Sequence, residues 1–74
     1  MRVIILGANL VGIALAKLLS DEGHDVVMID ESRHAIAGVE GHMDIKCIVG
    51  RPSYPDVLEL AEIPVADMII AVTD

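Results

Sequence analysis

The sequence of 74 residues predicts an α/β fold, a doubly wound parallel sheet with strand order 3-2-1-4 that is truncated after its fourth strand. Three observations carry this reading. Short runs of β-branched residues alternate with helix-forming segments, which implies a parallel sheet joined by right-handed crossovers. A glycine-spaced turn, Gly7 to Gly12, separates the first run from the first helix. An acid, Asp30, ends the second run, 18 positions after Gly12.

Val3 to Leu6 reads as a buried parallel strand ending at Gly7. A helix follows, because Val11, Ala14, Leu15, Leu18 and Leu19 recur at the spacing of one helical face. Ser20 to Gly23 ends it, with Gly23 as its C-terminal cap. Asp25 to Ile29 is the second strand, stopped by Asp30. Ser32 caps a second helix over Arg33 to Glu40, weakened by Gly38 and Gly41 at its last turn. Ile45 to Val49 is the third strand, stopped by Gly50. Ser53, Pro55 and Asp56 open a third helix, which runs through Val57, Leu58, Leu60 and Ala61 to Pro64. Asp67 to Thr73 is the fourth strand. The order matches one wing of a doubly wound sheet plus the first strand of the other. No helix follows Asp74 to return the chain, so a bare sheet edge and a partly bare face are expected. Residues 1–74 read as part of one domain, either truncated or completed by a swapped or paired copy.

Composition narrows the function. Hydrophobic residues make up 54% of the chain and mean hydropathy is +0.62, which excludes disorder. That is more apolar side chain than so short a chain hides comfortably. Cys47 is the single cysteine, which excludes a disulfide scaffold and suits a reducing cytosol. Twelve acidic against five basic residues leave a charge of −7, and Tyr54 is the only aromatic residue. Such a chain repels phosphate backbones and lacks stacking platforms, so no nucleic-acid partner is expected. Arg2, the apolar stretch after it and Lys17 imitate a secretory leader, with Ala14-Leu15-Ala16 as a cleavage-like triplet. Gly7, Asn9 and Gly12 interrupt that stretch, and it falls short of the roughly 20 residues that span a bilayer. The chain reads as soluble.

Gly7-Ala8-Asn9-Leu10-Val11-Gly12 stands where a dinucleotide-binding G-x-G-x-x-G turn would lie, between a strand and a helix. Gly7 suits the tight turn and Gly12 a close helix–strand approach, so the fold is Rossmann-like. Asn9 replaces the central glycine, where a side chain fills the space in which a pyrophosphate meets backbone N–H groups. Asparagine tolerates positive φ, so the turn is expected to survive with a smaller pocket. Asp30 is placed to accept hydrogen bonds from a ribose diol and to repel a 2′-phosphate, and Glu31 adds to that repulsion. NAD or an adenosine nucleotide is favoured over NADP. The alternative role of Asp30 and Ser32 is helix capping alone. Arg51 ends the third strand and Val72-Thr73 the fourth, beside the switch in strand order where ligands bind. Arg51 is suited to stacking on adenine or pairing with a phosphate, or simply to the surface. His24, His34 and His42 lack the spacing of a metal set. Cys47 reads as a small core residue, and no catalytic triad or carboxylate pair stands out.

These residues resemble the TrkA N-terminal domain, also called KTN or RCK-N, of potassium transport regulators. The likeness covers the whole chain. It is most specific in Val49-Gly50, Pro55-Asp56-Val57-Leu58, Ala66-Asp67 and Ala71-Val72-Thr73-Asp74. The family domain is about twice this length, which would make the chain its N-terminal part. The resemblance implies a cytoplasmic regulatory subunit, peripheral at the inner face of the membrane, that binds NAD(H) or ATP, ADP or AMP. It implies homo-oligomeric packing that shifts with ligand and gates a membrane potassium channel or transporter, with no chemistry done on the ligand. By position, Gly7, Ala8, Asn9, Leu10, Val11 and Gly12 would hold phosphates. Asp30 and Glu31 would hold the ribose, Arg51 the adenine side, and Val72 and Thr73 the floor. Asn9 departs from the usual glycine, and Arg51 stands where many members carry an acid. Two other readings stay open. One is the cofactor domain of an NAD-dependent dehydrogenase whose catalytic part lies beyond residue 74. The other is a structural module whose turn has lost its ligand.

Overall fold

A computed structural model describes residues 1–41, 44–51 and 66–72. Its elements are β1 (Arg2–Leu6), α1 (Leu10–Asp21), β2 (Asp25–Asp30), α2 (Arg33–Ala37), β3 (Lys46–Val49) and β4 (Met68–Ala71). The four strands form one parallel sheet in the order β3-β2-β1-β4, as expected. Ile5 lies between Met28 of β2 and Ile70 of β4, and Asp30 lies opposite Val49 of β3.

The two central strands are buried on both faces, which is why they read as unbroken apolar runs. Side chains alternate across the sheet. Val3, Ile5, Val26 and Met28 share a core with Ala16 of α1, Ile36 of α2 and Val39. Ile4, Val27, Ile29 and Ile48 form a second cluster on the other face, with Leu6 and Ala66 against it. Each fully buried Ile, Val or Met contributes about 1.5–3 kcal/mol relative to its exposed state, so this sheet is the main source of stability.

The register is pinned at the amino ends of the strands. Arg2 N–H donates to the Asp67 carboxylate at 2.8 Å, while Asp67 N–H donates to the Arg2 carbonyl at 2.9 Å. The Arg2 guanidinium also donates twice to Asp25, at 2.8 and 3.0 Å. These bonds tie β1 to both neighbours before the apolar residues begin.

The helices depart from the sequence reading in detail. Helix α1 does end where expected: Glu22 caps it and Gly23 follows at φ +89°. Its buried face, however, is not the one that the spacing of Val11, Ala14 and Leu18 predicts. Gly12 and Ala16 are buried, with Ile13, Leu15 and Leu19 partly so, while Val11, Ala14 and Leu18 are exposed. The reason is size: small residues let the helix axis come close to the sheet, so the contact line centres on Gly12 and Ala16 and turns the larger residues outward. Helix α2 stops at Ala37, short of Glu40, because Gly38 takes the cap. Strand β3 begins at Lys46, one residue later than expected, and β4 covers Met68–Ala71 only. The expected third helix from Ser53 to Pro64, and Thr73 at the end of the fourth strand, lie outside the described residues.

Two glycines on this face respond oppositely to a methyl group. A Cβ on Gly12 would lie 2.1 Å from the Gly7 carbonyl oxygen, a backbone atom that cannot swing away. Gly12→Ala is expected to cost about 1–3 kcal/mol of folding stability. Gly38 has helical backbone and meets nothing nearer than 3.5 Å, so Gly38→Ala should stabilise by about 0.4–1 kcal/mol. Urea midpoints of the two variants check both signs.

Candidate functional site

Beyond the carboxyl ends of β1, β2 and β4 lies a crevice of about 530 Å³. That falls within the roughly 300–1,000 Å³ of small-molecule sites. Two other hollows, of about 510 and 490 Å³, have comparable size, so it is the chemistry of the lining that distinguishes this one. Gly7, Ala8 and Asn9 of the first turn line it together with Asp30, Glu31 and Ser32. Ala71 and Val72 close the β4 side, and Leu6, Ile29 and Ala35 supply apolar surface. The crevice sits at the switch in strand order, where an open α/β sheet leaves room for a ligand.

The first turn is built on backbone contact. Gly7 has φ +127°, and a Cβ there would lie 2.2 Å from the Val72 carbonyl oxygen. Gly12 packs directly on the Gly7 carbonyl. These are the roles that the sequence assigns to the two glycines. Asn9 behaves differently from expectation. Its backbone is extended, φ −94° and ψ −178°, so no tolerance of positive φ is called on. Its side chain is the N-cap of α1: Oδ1 accepts from Gly12 N–H at 2.9 Å. Its Nδ2 donates to the Val72 carbonyl at 2.9 Å, so one carboxamide ties the turn, the helix and β4 together.

Asp30 is hydrogen-bonded directly to the turn. One carboxylate oxygen accepts from Ala8 N–H and the other from Ser32 N–H, both at 2.8 Å. Asp30 therefore braces the glycine turn and the start of α2 at once. Ser32 does cap α2, its Oγ accepting from Ala35 N–H at 3.2 Å. Capping does not exhaust Asp30, because each carboxylate oxygen takes two donors.

The other sequence-predicted residues divide. Leu10 and Val11 are exposed on the first turn of α1, and their N–H groups belong to the turn that has no intrahelical acceptor. That turn carries no acidic side chain of its own, and the acid beside it is Asp30, whose carboxylate sits on Ala8 N–H just ahead of the N-cap. Gly12 is buried beneath the turn and packs it. Arg51 does not line the crevice. Its Nε lies 3.2 Å from the Glu31 carboxylate, with both side chains about two-thirds exposed, a pair worth at most about 1 kcal/mol. Arg51 thus reaches the rim only through Glu31. Thr73 lies outside the described residues. Sequence reasoning passed over Leu6, Ile29, Ala35 and Ala71 as lining residues. Leu6 and Ile29 directly precede Gly7 and Asp30, a position that the switch-point rule places under a ligand.

The lining offers carboxylate acceptors and apolar surface, and the first-turn N–H groups of Leu10 and Val11 follow directly on its residue Asn9, outside the lining itself. That set suits a ligand joining a diol to an anionic group. Among the described lining residues, Asp30 and Glu31 are the ionisable ones. Cys47 lies away from the crevice, half-buried against the core. Burial first, and then the Glu40 charge, push its thiol above its ordinary value of 9.0. Among the described residues no cluster of three His, Cys, Asp or Glu is arranged for a metal.

With this geometry, comparison with known proteins is informative. Residues 3–74 match the TrkA-N domain. The chain is 44% identical to the Trk system potassium uptake protein TrkA of Azorhizobium caulinodans and 40% identical to that of Halomonas elongata. These matches cover 99% and 100% of the chain but 16% of each relative. A TrkA homolog of Methanothermobacter thermautotrophicus is 37% identical over 99% of the chain and 34% of its own length. Among solved structures, the Shewanella denitrificans Kef CTD in AMP-bound form superposes with a TM-score of 0.81 at 27% identity. That match covers 100% of the chain and 43% of the neighbour.

Two outcomes test the site's construction without any ligand. Asp30→Ala strips two backbone N–H groups of their acceptor, one of them on buried Ala8, and should cost about 1–3 kcal/mol in urea unfolding. Cys47 keeps its proton to higher pH in the folded chain than in the unfolded one. At pH 8, iodoacetamide should therefore alkylate the native chain more slowly than the urea-unfolded chain.

Proposed function

Since the chain belongs to the TrkA-N domain family, we propose that it is the regulatory nucleotide-binding part of a potassium transport system. Its ligand is an adenine nucleotide, NAD(H) or ATP, ADP or AMP, seated in the crevice at the strand-order switch. The observation that carries this reading is the meeting, in one crevice, of Asp30 with the turn Gly7-Ala8-Asn9 that leads into α1. Asp30 accepts the ribose hydroxyls. The backbone N–H groups of Leu10 and Val11 receive a phosphate, favoured by the positive helix end. Leu6, Ile29 and Ala71 carry the apolar contact, with Val72 on the floor and Glu31 and Arg51 at the rim. The AMP-bound state of the Kef neighbour supports an adenine nucleotide as the ligand class.

The names of the relatives support a membrane partner that moves potassium. Within the described residues no helix is long and apolar enough to cross a membrane. The domain acts at the inner face of the membrane, as a cytoplasmic, homo-oligomeric part of the transporter assembly. Nucleotide exchange there biases two arrangements of the assembly, by no more than the ligand's difference in affinity for them. No step of chemistry on the nucleotide is part of this reading, since Asp30 is held by two backbone donors and Glu31 lies at the solvent rim beside Arg51.

A thermal-shift panel on the full chain tests it, with NADH, NAD, NADPH, ATP, ADP and AMP. A ligand at 100 times its Kd adds about 2.7 kcal/mol, which raises the Tm of so small a domain by about 10 °C or more. A rise is expected with an adenosine nucleotide bearing a free 2′-hydroxyl and not with NADPH, and Asp30→Ala should abolish it. No rise with any of the six sinks the reading. Turnover of NAD(H) with a reducible or oxidisable substrate would instead make the chain the cofactor domain of a dehydrogenase.

A further inference from the structure

Resting on the nucleotide reading, we infer that Asn9 is a specificity-determining residue: it fits the crevice to an adenosine ligand carrying a single phosphate and disfavours one bridged by a pyrophosphate. A glycine at the middle of such a turn leaves the space through which a pyrophosphate approaches the backbone. Here that space holds a side chain, and the side chain is fastened. Hydrogen bonds to Gly12 N–H and to the Val72 carbonyl, each 2.9 Å long, hold it. Swinging the carboxamide aside for a second phosphate breaks both and leaves the Val72 carbonyl short of a donor at the crevice wall.

The donor supply points the same way. Ile13 N–H is taken by the Asn9 carbonyl and Gly12 N–H by the Asn9 side chain. The first turn then presents Leu10 and Val11 N–H, two donors that match two oxygens of one phosphoryl group. At the other end, the Asp30 carboxylate touches the turn itself through Ala8 N–H, at 2.8 Å. A ribose held at Asp30 therefore brings its first phosphate against the helix end, and a second phosphate has to cross the Asn9 side chain. The acidic rim residue Glu31 and the net charge of −7 add to the cost of each further negative charge.

Titration calorimetry on the full chain decides this, with AMP, ADP and NAD as the probes and wild type, Asn9→Gly and Asn9→Ser as the proteins. Glycine at an N-cap costs only a few tenths of a kcal/mol relative to asparagine, and serine keeps the cap with a smaller side chain, so at least one variant should fold. Wild type should bind AMP at least about tenfold more tightly than NAD, the scale of one charge-assisted hydrogen bond. Both variants should narrow that ratio, through gained NAD affinity rather than lost AMP affinity, with glycine the larger effect. Equal affinity of wild type for AMP and NAD overturns the inference, as does a ratio unmoved by either variant, while leaving nucleotide binding intact. Failure of all three proteins to bind any probe overturns the nucleotide reading itself, and this inference with it.

Discussion

Backbone packs on backbone where β1, α1 and β4 meet, and the rest of the molecule is arranged around that contact. The Gly7 position lies against the Val72 carbonyl, and Gly12 lies against the Gly7 carbonyl. No side chain larger than hydrogen fits at either place. The close approach brings the positive end of α1 to the carboxyl ends of the strands. It also leaves the turn wall open to solvent as a crevice, since a bulkier joint would fill the same space. Asn9 and Asp30 then hold the contact from two sides, one through Val72 and Gly12, the other through Ala8 and Ser32.

The site is electrostatically economical. A chain with a net charge of −7 can attract an anionic ligand only through a local field. That field comes from uncharged donors, the first-turn N–H groups of α1 and their helix dipole, in a turn with no acidic side chain of its own. Asp30, held against the turn by Ala8 N–H, and Glu31 are where a ribose would be recognised. Arg51 is engaged by Glu31 of the rim. If the proposed function holds, a ligand would be recognised here by position and shape more than by bulk attraction.

Much of this was legible in the chain. Strands buried on both faces have to be continuously apolar, so Val3 to Leu6 and Asp25 to Ile29 announced themselves, and their alternation with helices gave the parallel order. Gly23 marked the end of α1, where its φ of +89° follows the Glu22 cap, and Gly38 stands at the cap of α2. The glycine turn and Asp30 located the site from spacing alone. Three features were not legible. The outward face of α1 carries Leu10, Val11 and Leu18, and a hydrophobic count cannot tell an exposed leucine from a buried one. The buried face is chosen by how near the helix can come, which depends on Gly12 and Ala16 meeting the sheet. The conformation of Asn9 was equally hidden, since both of its roles need partners that arrive through folding, and Val72 is 63 residues away. Arg51 read as a candidate ligand contact because its place in the chain is right. Its distance from the crevice is set by the lateral position of β3, two strands from β1.

By itself, the sequence determined the architecture and the place of the glycine turn beside Asp30, and its likeness over the whole chain indicated the family. The first two follow from local rules: period, turn chemistry and the sterics of glycine act over a few residues. Tertiary structure alone decided which face of α1 is buried, that Asn9 serves as a clamp, and that Asp30 is a brace as well as an acceptor. Each of these depends on a contact between residues far apart in the chain. Such contacts exist only once burial of the sheet has brought the strand ends together.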